Sequence, residues 1–67
     1  MPTFYANGEL RDTQPGMTVA SFLADSGLEP MRVVVEMNGE PLERSRFEST
    51  LIDAGDRIEV AQMVGGG

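Results

Sequence analysis

The 67-residue chain contains no cysteine, histidine, lysine or tryptophan. Without cysteine, neither a disulfide framework nor a thiolate metal site can stabilise the fold, so its stability must come from packing. Without histidine, cysteine and lysine, the chain also lacks the usual general base, thiol nucleophile and Schiff-base amine of enzymes. A domain this short buries only about 60% of the surface that its unfolded chain exposes, which leaves room for one small core. These absences argue against a self-contained active site.

Long apolar segments are missing as well. The longest uninterrupted aliphatic run covers residues 33–35, which is far too short to span a bilayer. The N-terminal sequence "MPTFYANGEL" lacks the basic start and apolar run of a signal peptide. We therefore expect a cytoplasmic protein with no membrane partner.

The charge is strongly one-sided. Eleven acidic residues stand against five arginines, which gives a net charge of −6. Such a surface repels nucleic acid and anionic membranes, and it favours a partner with a basic surface. The acidic residues do not follow the spacing of a calcium-binding loop, so we predict no metal site and no bound cofactor in this chain.

Two Asn-Gly pairs, at residues 7–8 and 38–39, indicate two hairpins. Each pair lies between short stretches of alternating character, and Asn-Gly is well suited to the positive φ angles of a tight turn. Pro41 limits the strand after the second turn to an edge or a very short ladder. The polar segment "RSRFEST" that follows predicts an irregular stretch with at most one helical turn.

A short helix is predicted between the hairpins. Val19, Phe22 and Leu23 have the i, i+3, i+4 spacing of a helix with one buried face, which we place at residues 19–25. Thr18 is positioned to cap its first turn.

The last predicted strand follows a turn at residues 53–56. Its alternation places Ile58 and Val60 on one face, and Ala61 and Met63 on the other. The second face carries polar residues and is expected to be exposed, next to the C-terminal glycines.

This order of elements predicts an α+β, ubiquitin-like β-grasp fold. One main helix would lie on one face of a mixed four- or five-stranded sheet. Residues 1–64 would form the domain and residues 65–67 a flexible glycine tail. The predicted core consists of Phe4, Val19, Phe22, Leu23, Leu28, Val33, Val35, Leu51, Ile58 and Val60.

The closing sequence "MVGGG" is the one feature that points to chemistry. The glycines are not a phosphate-binding loop, because such a loop needs a following helix to present its amides. The α-carboxylate of Gly67 is ionised at neutral pH, so it could attack the α-phosphate of ATP in a partner's active site. Glycines suit this role because a tail without Cβ atoms can thread a narrow channel.

The whole chain resembles the ThiS-type bacterial sulfur carriers, which are small β-grasp proteins related to ubiquitin. The resemblance rests on "NGE" after the first strand, the short amphipathic helix, "VVVEMNGE" followed by Arg44-Ser45, "DAGDRIEV" and the terminal "VGGG". Two departures are the proline in "EPLE" and the third glycine at the end.

The resemblance implies that the protein is a cosubstrate and not an enzyme. A ThiF/MoeB-like adenylating enzyme would use ATP and magnesium to activate the Gly67 carboxylate, and a persulfide sulfur donor would convert it to a thiocarboxylate. A ThiG-like thiazole synthase would then take the sulfur for thiamine biosynthesis. The residues that would enter or contact these partners are Met63, Val64, Gly65 and Gly66.

Two alternatives remain open from the sequence. The chain could serve as a MoaD-like small subunit of molybdopterin synthase or as the sulfur carrier of another pathway. It could also be a plain β-grasp binding module that docks through its sheet, with an incidental tail.

Overall fold

The computed structural model describes residues 2–63. This part of the chain contains five strands, one α-helix and two 3-10 helices. The strands are β1 (Thr3–Ala6), β2 (Glu9–Asp12), β3 (Val33–Met37), β4 (Glu40–Leu42) and β5 (Arg57–Gln62). Helix α1 covers Val19–Asp25, and the 3-10 helices cover Pro30–Arg32 and Arg44–Arg46.

The strands form one mixed sheet in the order β2-β1-β5-β3-β4. The central pair, β1 and β5, is parallel, whereas all the other neighbours are antiparallel. The buried side of α1 packs with residues of β1, β3 and β5 in one hydrophobic core. The β-grasp prediction is therefore confirmed, with five strands in the sheet.

Both Asn-Gly pairs form the predicted hairpin turns. Asn7 and Gly8 have φ angles of 51° and 81°, and Asn38 and Gly39 have φ angles of 55° and 86°. Positive φ at both central residues matches the right-handed twist of the flanking strands. The strand after the second turn has three residues, includes Pro41 and lies at the edge of the sheet, as predicted.

Helix α1 begins and ends where the sequence predicts. The Thr18 hydroxyl accepts a hydrogen bond from the N–H of Ser21, and the Ser21 hydroxyl accepts one from the N–H of Thr18. The next orphan donors are satisfied by a distant loop, because the N–H groups of Val19 and Ala20 donate to the carbonyls of Thr50 and Phe47, both at 2.9 Å. The start of the helix is thereby closed by side chains and loop carbonyls.

The core agrees with the prediction at most positions. Leu28 and Val60 are only partly buried, but both pack against the core. Three residues outside the predicted core are also buried, namely Ala6, Phe47 and Ile52. The predicted core residues that are buried are Phe4, Val19, Phe22, Leu23, Val33, Val35 and Ile58.

The prediction for Leu51 is wrong, since this side chain is 53% exposed. Leu51 pairs with Thr18 in an antiparallel bridge, and the N–H of Ile52 donates to the carbonyl of Met17 at 2.9 Å. Successive side chains of an extended segment point to opposite sides, so only one of Leu51 and Ile52 can face the core. Ile52 does so, with 3% exposure.

This difference predicts unequal costs for two neighbouring substitutions. Ile52→Ala should lower the free energy of unfolding by about 2–5 kcal/mol because it leaves a cavity, whereas Leu51→Ala should change it by roughly 0.5 kcal/mol. Urea unfolding followed by circular dichroism measures both. If Ile52→Ala does not fold, Ile52→Val should still cost about 0.5–1.5 kcal/mol. Equal costs at the two positions would contradict the assigned core.

Candidate functional site

The structure describes one of the five predicted site residues. Met63 follows β5 directly, is 51% exposed, and donates its N–H to the carbonyl of Arg32 at 2.8 Å. The remaining predicted residues, Val64, Gly65, Gly66 and Gly67, lie outside the described residues. Within the described residues, the candidate site therefore consists of the end of β5 and the sheet surface around it.

The sheet face opposite α1 is the surface that leads to Met63. Ile58 points into the core, and strand alternation places Arg57, Glu59 and Ala61 on the opposite face of β5. The register of β3 against β5 sets Val34 opposite Ala61 on this same face. Four further strand residues lie on this face, namely Tyr5, Leu10, Glu36 and Pro41.

Strand alternation, continued by one residue past the end of β5, places Met63 on the same face as Val34 and Ala61, and we call these three residues the apolar patch. Val34 and Met63 are each about half exposed, at 53% and 51%, and Ala61 is exposed as well. Ala61 and Met63 were predicted to be exposed on one face, but Val34 was not part of that prediction. The alternation within "VVV" could have predicted this, because Val34 must face away from the core when Val33 and Val35 face it.

Two glutamates lie beside this patch. Glu36 on β3 is directly opposite Glu59 on β5, and together with Val34 and Ala61 they line one shallow depression. The ion pairs within residues 2–63 join Glu9 to Arg11 and Glu29 to Arg32, so neither Glu36 nor Glu59 has a salt-bridge partner in this part of the chain. Like charges directly opposite each other destabilise a sheet.

Both asparagines of the hairpin turns hold β5 by their side chains. Asn7 accepts a hydrogen bond at Oδ1 from the N–H of Val60 at 2.8 Å and donates from Nδ2 to the carbonyl of Val60 at 3.2 Å. Asn38 accepts at Oδ1 from the N–H of Arg57 at 2.9 Å and donates from Nδ2 to Asp56 Oδ1 at 3.1 Å. The sequence pattern predicts these asparagines only as turn residues.

The polar side chains of the described residues are all at least partly exposed to solvent. No polar or charged side chain among residues 2–63 is buried, so this part of the chain holds no carboxyl group in an apolar pocket. The same residues contain no cluster of three acidic groups placed to hold a metal ion. No helix within them has the length and apolar character needed to cross a membrane.

Comparisons with known proteins agree with this architecture. A family model described as the ThiS family matches residues 5–67. The crystal structure of the thiamine biosynthesis protein ThiS from Geobacter metallireducens is 31% identical, with a TM-score of 0.79 over 97% of this chain and 99% of that one. A solution NMR structure of a thiamine biosynthesis protein from the same organism is 32% identical, with a TM-score of 0.78 over 97% of this chain and 87% of that one.

Two curated relatives are longer proteins. The thiazole synthase of Paramagnetospirillum magneticum is 34% identical over 61 residues, and that of Magnetococcus marinus is 32% identical over 63 residues. These matches cover 91% and 94% of this chain, which spans 19% of the length of each relative. The family match over nearly the full sequence, together with the shared fold at this level of identity, places the chain in the ThiS family.

Proposed function

We propose that the protein is a sulfur carrier in thiamine biosynthesis and acts as a cosubstrate of partner enzymes. The observation that carries the proposal is the ThiS family match, which continues through residue 67 and so includes the glycine sequence. The similar protein of known structure is named as a thiamine biosynthesis protein, which supports this pathway.

The reacting group in this proposal is the carboxylate of Gly67. It attacks the α-phosphate of ATP, bound with magnesium in a ThiF/MoeB-like partner, and pyrophosphate leaves. A persulfide sulfur then attacks the carbonyl carbon of the acyl-adenylate and AMP leaves. The product is an acyl disulfide between Gly67 and the donor. A thiol then attacks the donor's sulfur, which forms a new disulfide with the donor and releases the thiocarboxylate of Gly67. This chain contributes no side chain to these steps, in keeping with its lack of histidine, cysteine and lysine.

A ThiG-like thiazole synthase is the proposed acceptor of the sulfur. Segments similar to this chain occur within two proteins named thiazole synthase, which supports a functional association between the two activities. Carriers of sulfur for molybdopterin or other pathways would form the same thiocarboxylate, so the acceptor must be tested separately from the activation step.

The apolar patch is the proposed docking surface for the activating enzyme. Ordering three glycines costs about 3–6 kcal/mol in backbone entropy, so the body of the domain must contribute binding energy if residues 65–67 are to be held in a channel. Val34 and Met63 offer half-exposed apolar side chains for this contact. Glu36 and Glu59, which form no salt bridge within residues 2–63, favour a partner that places a basic group beside them.

Activation of the Gly67 carboxylate is tested by the mass of its product. Incubation with a ThiF/MoeB-like enzyme, ATP, magnesium and a persulfide donor should increase the intact mass by the difference between one sulfur and one oxygen atom. Removal of Gly67 should abolish the change and leave the unfolding curve unaltered, because terminal residues contribute little to stability. An unchanged mass for the natural sequence would contradict the proposed chemistry.

The acceptor is tested with the charged carrier. The thiocarboxylate form should support thiazole formation by a ThiG-like thiazole synthase, whereas the uncharged form should not. Charging without thiazole formation, but with sulfur transfer to a molybdopterin precursor, would instead identify a MoaD-like function.

A substitution in the apolar patch should weaken docking. Met63→Asp places a charge in the proposed interface and should weaken binding to the activating enzyme by about tenfold or more, measured by calorimetry. Leu51→Asp is the matched control, because Leu51 is equally exposed but lies by the start of α1, and it should leave the affinity unchanged. Equal losses for both variants would contradict the assigned surface.

The glutamate pair predicts opposite effects on stability and binding. Glu36→Gln removes the like-charge contact and should raise the free energy of unfolding by about 0.2–1 kcal/mol. It should also slow association with the activating enzyme and reduce the dependence of that rate on salt. Glu48→Gln makes the same chemical change outside the sheet and should do neither. If Glu36→Gln is stabilised but associates at an unaltered rate, the proposed place of the glutamates in the interface is contradicted.

A further inference from the structure

We propose that Asn7 is a positioning residue for docking to the activating enzyme, because its side chain fixes the end of β5 that leads to Met63. The inference rests on the proposed function. It concerns a hydrogen-bonding role that neither the hairpin turn nor the core requires.

The geometry shows why β5 needs this contact. Strand β1 ends at Ala6, whose partner on β5 is Ile58. The N–H of Asn7 still reaches the carbonyl of Ile58 at 2.9 Å, but the next backbone groups on that side belong to Val60 and have no β1 residue opposite them. The side-chain amide of Asn7 binds both of these Val60 groups. Its Oδ1 accepts from the N–H at 2.8 Å, and its Nδ2 donates to the carbonyl at 3.2 Å. One side chain thus extends the β1 edge by a further ladder step.

Beyond Val60, β5 is supported from the other side. Val33 lies opposite Gln62, and the N–H of Met63 donates to the carbonyl of Arg32. Strand ends open locally at little free-energy cost, so a strand end paired along one edge is easily lost. Asn7 contacts this strand three residues before Met63, which belongs to the apolar patch.

Loss of the Asn7 contact should therefore affect docking more than chemistry. If the strand end is formed in only a fraction of the molecules, the apparent affinity for a partner equals the affinity of the formed state multiplied by that fraction. Once the domain has docked, the strand is in place and the later steps proceed as before. The expected signature is a higher KM for the carrier with an unchanged kcat.

The second hairpin provides an internal control. Asn38 has the same type of turn, a similar φ angle and a side-chain contact to β5, but it binds the backbone of Arg57 at the opposite end of the strand. A purely structural role predicts that equivalent substitutions of Asn7 and Asn38 have equivalent effects. A positioning role predicts that they do not.

Glycine is the substitution that isolates the side chain, because it accepts the positive φ of the turn without strain. In Asn7→Gly, amide hydrogen exchange measured by NMR should become faster at Val60 and Met63. In Asn38→Gly it should become faster at Arg57 and stay unchanged at Met63. Urea unfolding of both variants corrects the rates for any change in global stability. Unchanged exchange at Met63 in Asn7→Gly would overturn the structural part of the proposal, whether or not the protein carries sulfur.

The functional part uses steady-state adenylation by the ThiF/MoeB-like enzyme, with carrier concentration as the variable. Asn7→Gly removes both hydrogen bonds to Val60. It should raise the KM by at least roughly two- to tenfold, the change in an equilibrium constant that one neutral hydrogen bond supports, with kcat unchanged. Asn7→Asp keeps an acceptor for the N–H of Val60 and should recover part of this loss. Asn38→Gly should leave the KM as in the natural sequence.

The outcomes separate this proposal from the function on which it rests. Equal KM values for the Asn7→Gly and Asn38→Gly variants, whether both raised or both unchanged, would overturn the positioning role. A lower kcat with an unchanged KM would also overturn it. Failure of the natural sequence to be adenylated would instead contradict the proposed function, while the hydrogen-exchange result would stand by itself.

Discussion

The fold depends on the placement of β5 between β1 and β3. This strand pairs in parallel with β1 and antiparallel with β3, and without it the two hairpins have no common sheet. It also supplies Ile58 to the core. The same strand leads to Met63 and the residues after it, so core packing and the position of the candidate site are set by one element.

Sequence patterns predicted the local features of the fold well because those features have local causes. The Asn-Gly pairs specify tight turns through their tolerance of positive φ, and the Thr18 cap with the spacing of Val19, Phe22 and Leu23 specifies α1. The segment at residues 44–52 was harder to predict. Its polar composition gives no indication that Phe47 is buried. Which of Leu51 and Ile52 faces the core depends on a bridge to Thr18 that no local pattern reveals.

The candidate site was predictable only in part for the same reason. Alternation along β5 was enough to place Ala61 and Met63 on an exposed face. The addition of Val34 requires the register of β3 against β5, and the opposition of Glu36 and Glu59 requires it too. The hydrogen bonds from Asn7 to Val60 join residues 53 positions apart in the chain, a contact that depends on tertiary structure alone.

The order of the strands also bears on how the protein is made. The strand at the centre of the sheet is the last of the described elements to be synthesised, so a growing chain on the ribosome can form two separate hairpins but no complete core. Contacts between residues so distant in sequence close late and slow the search for the native state. Folding is therefore expected to wait for β5 to emerge, and an unfinished chain would present neither the apolar patch nor a stable domain.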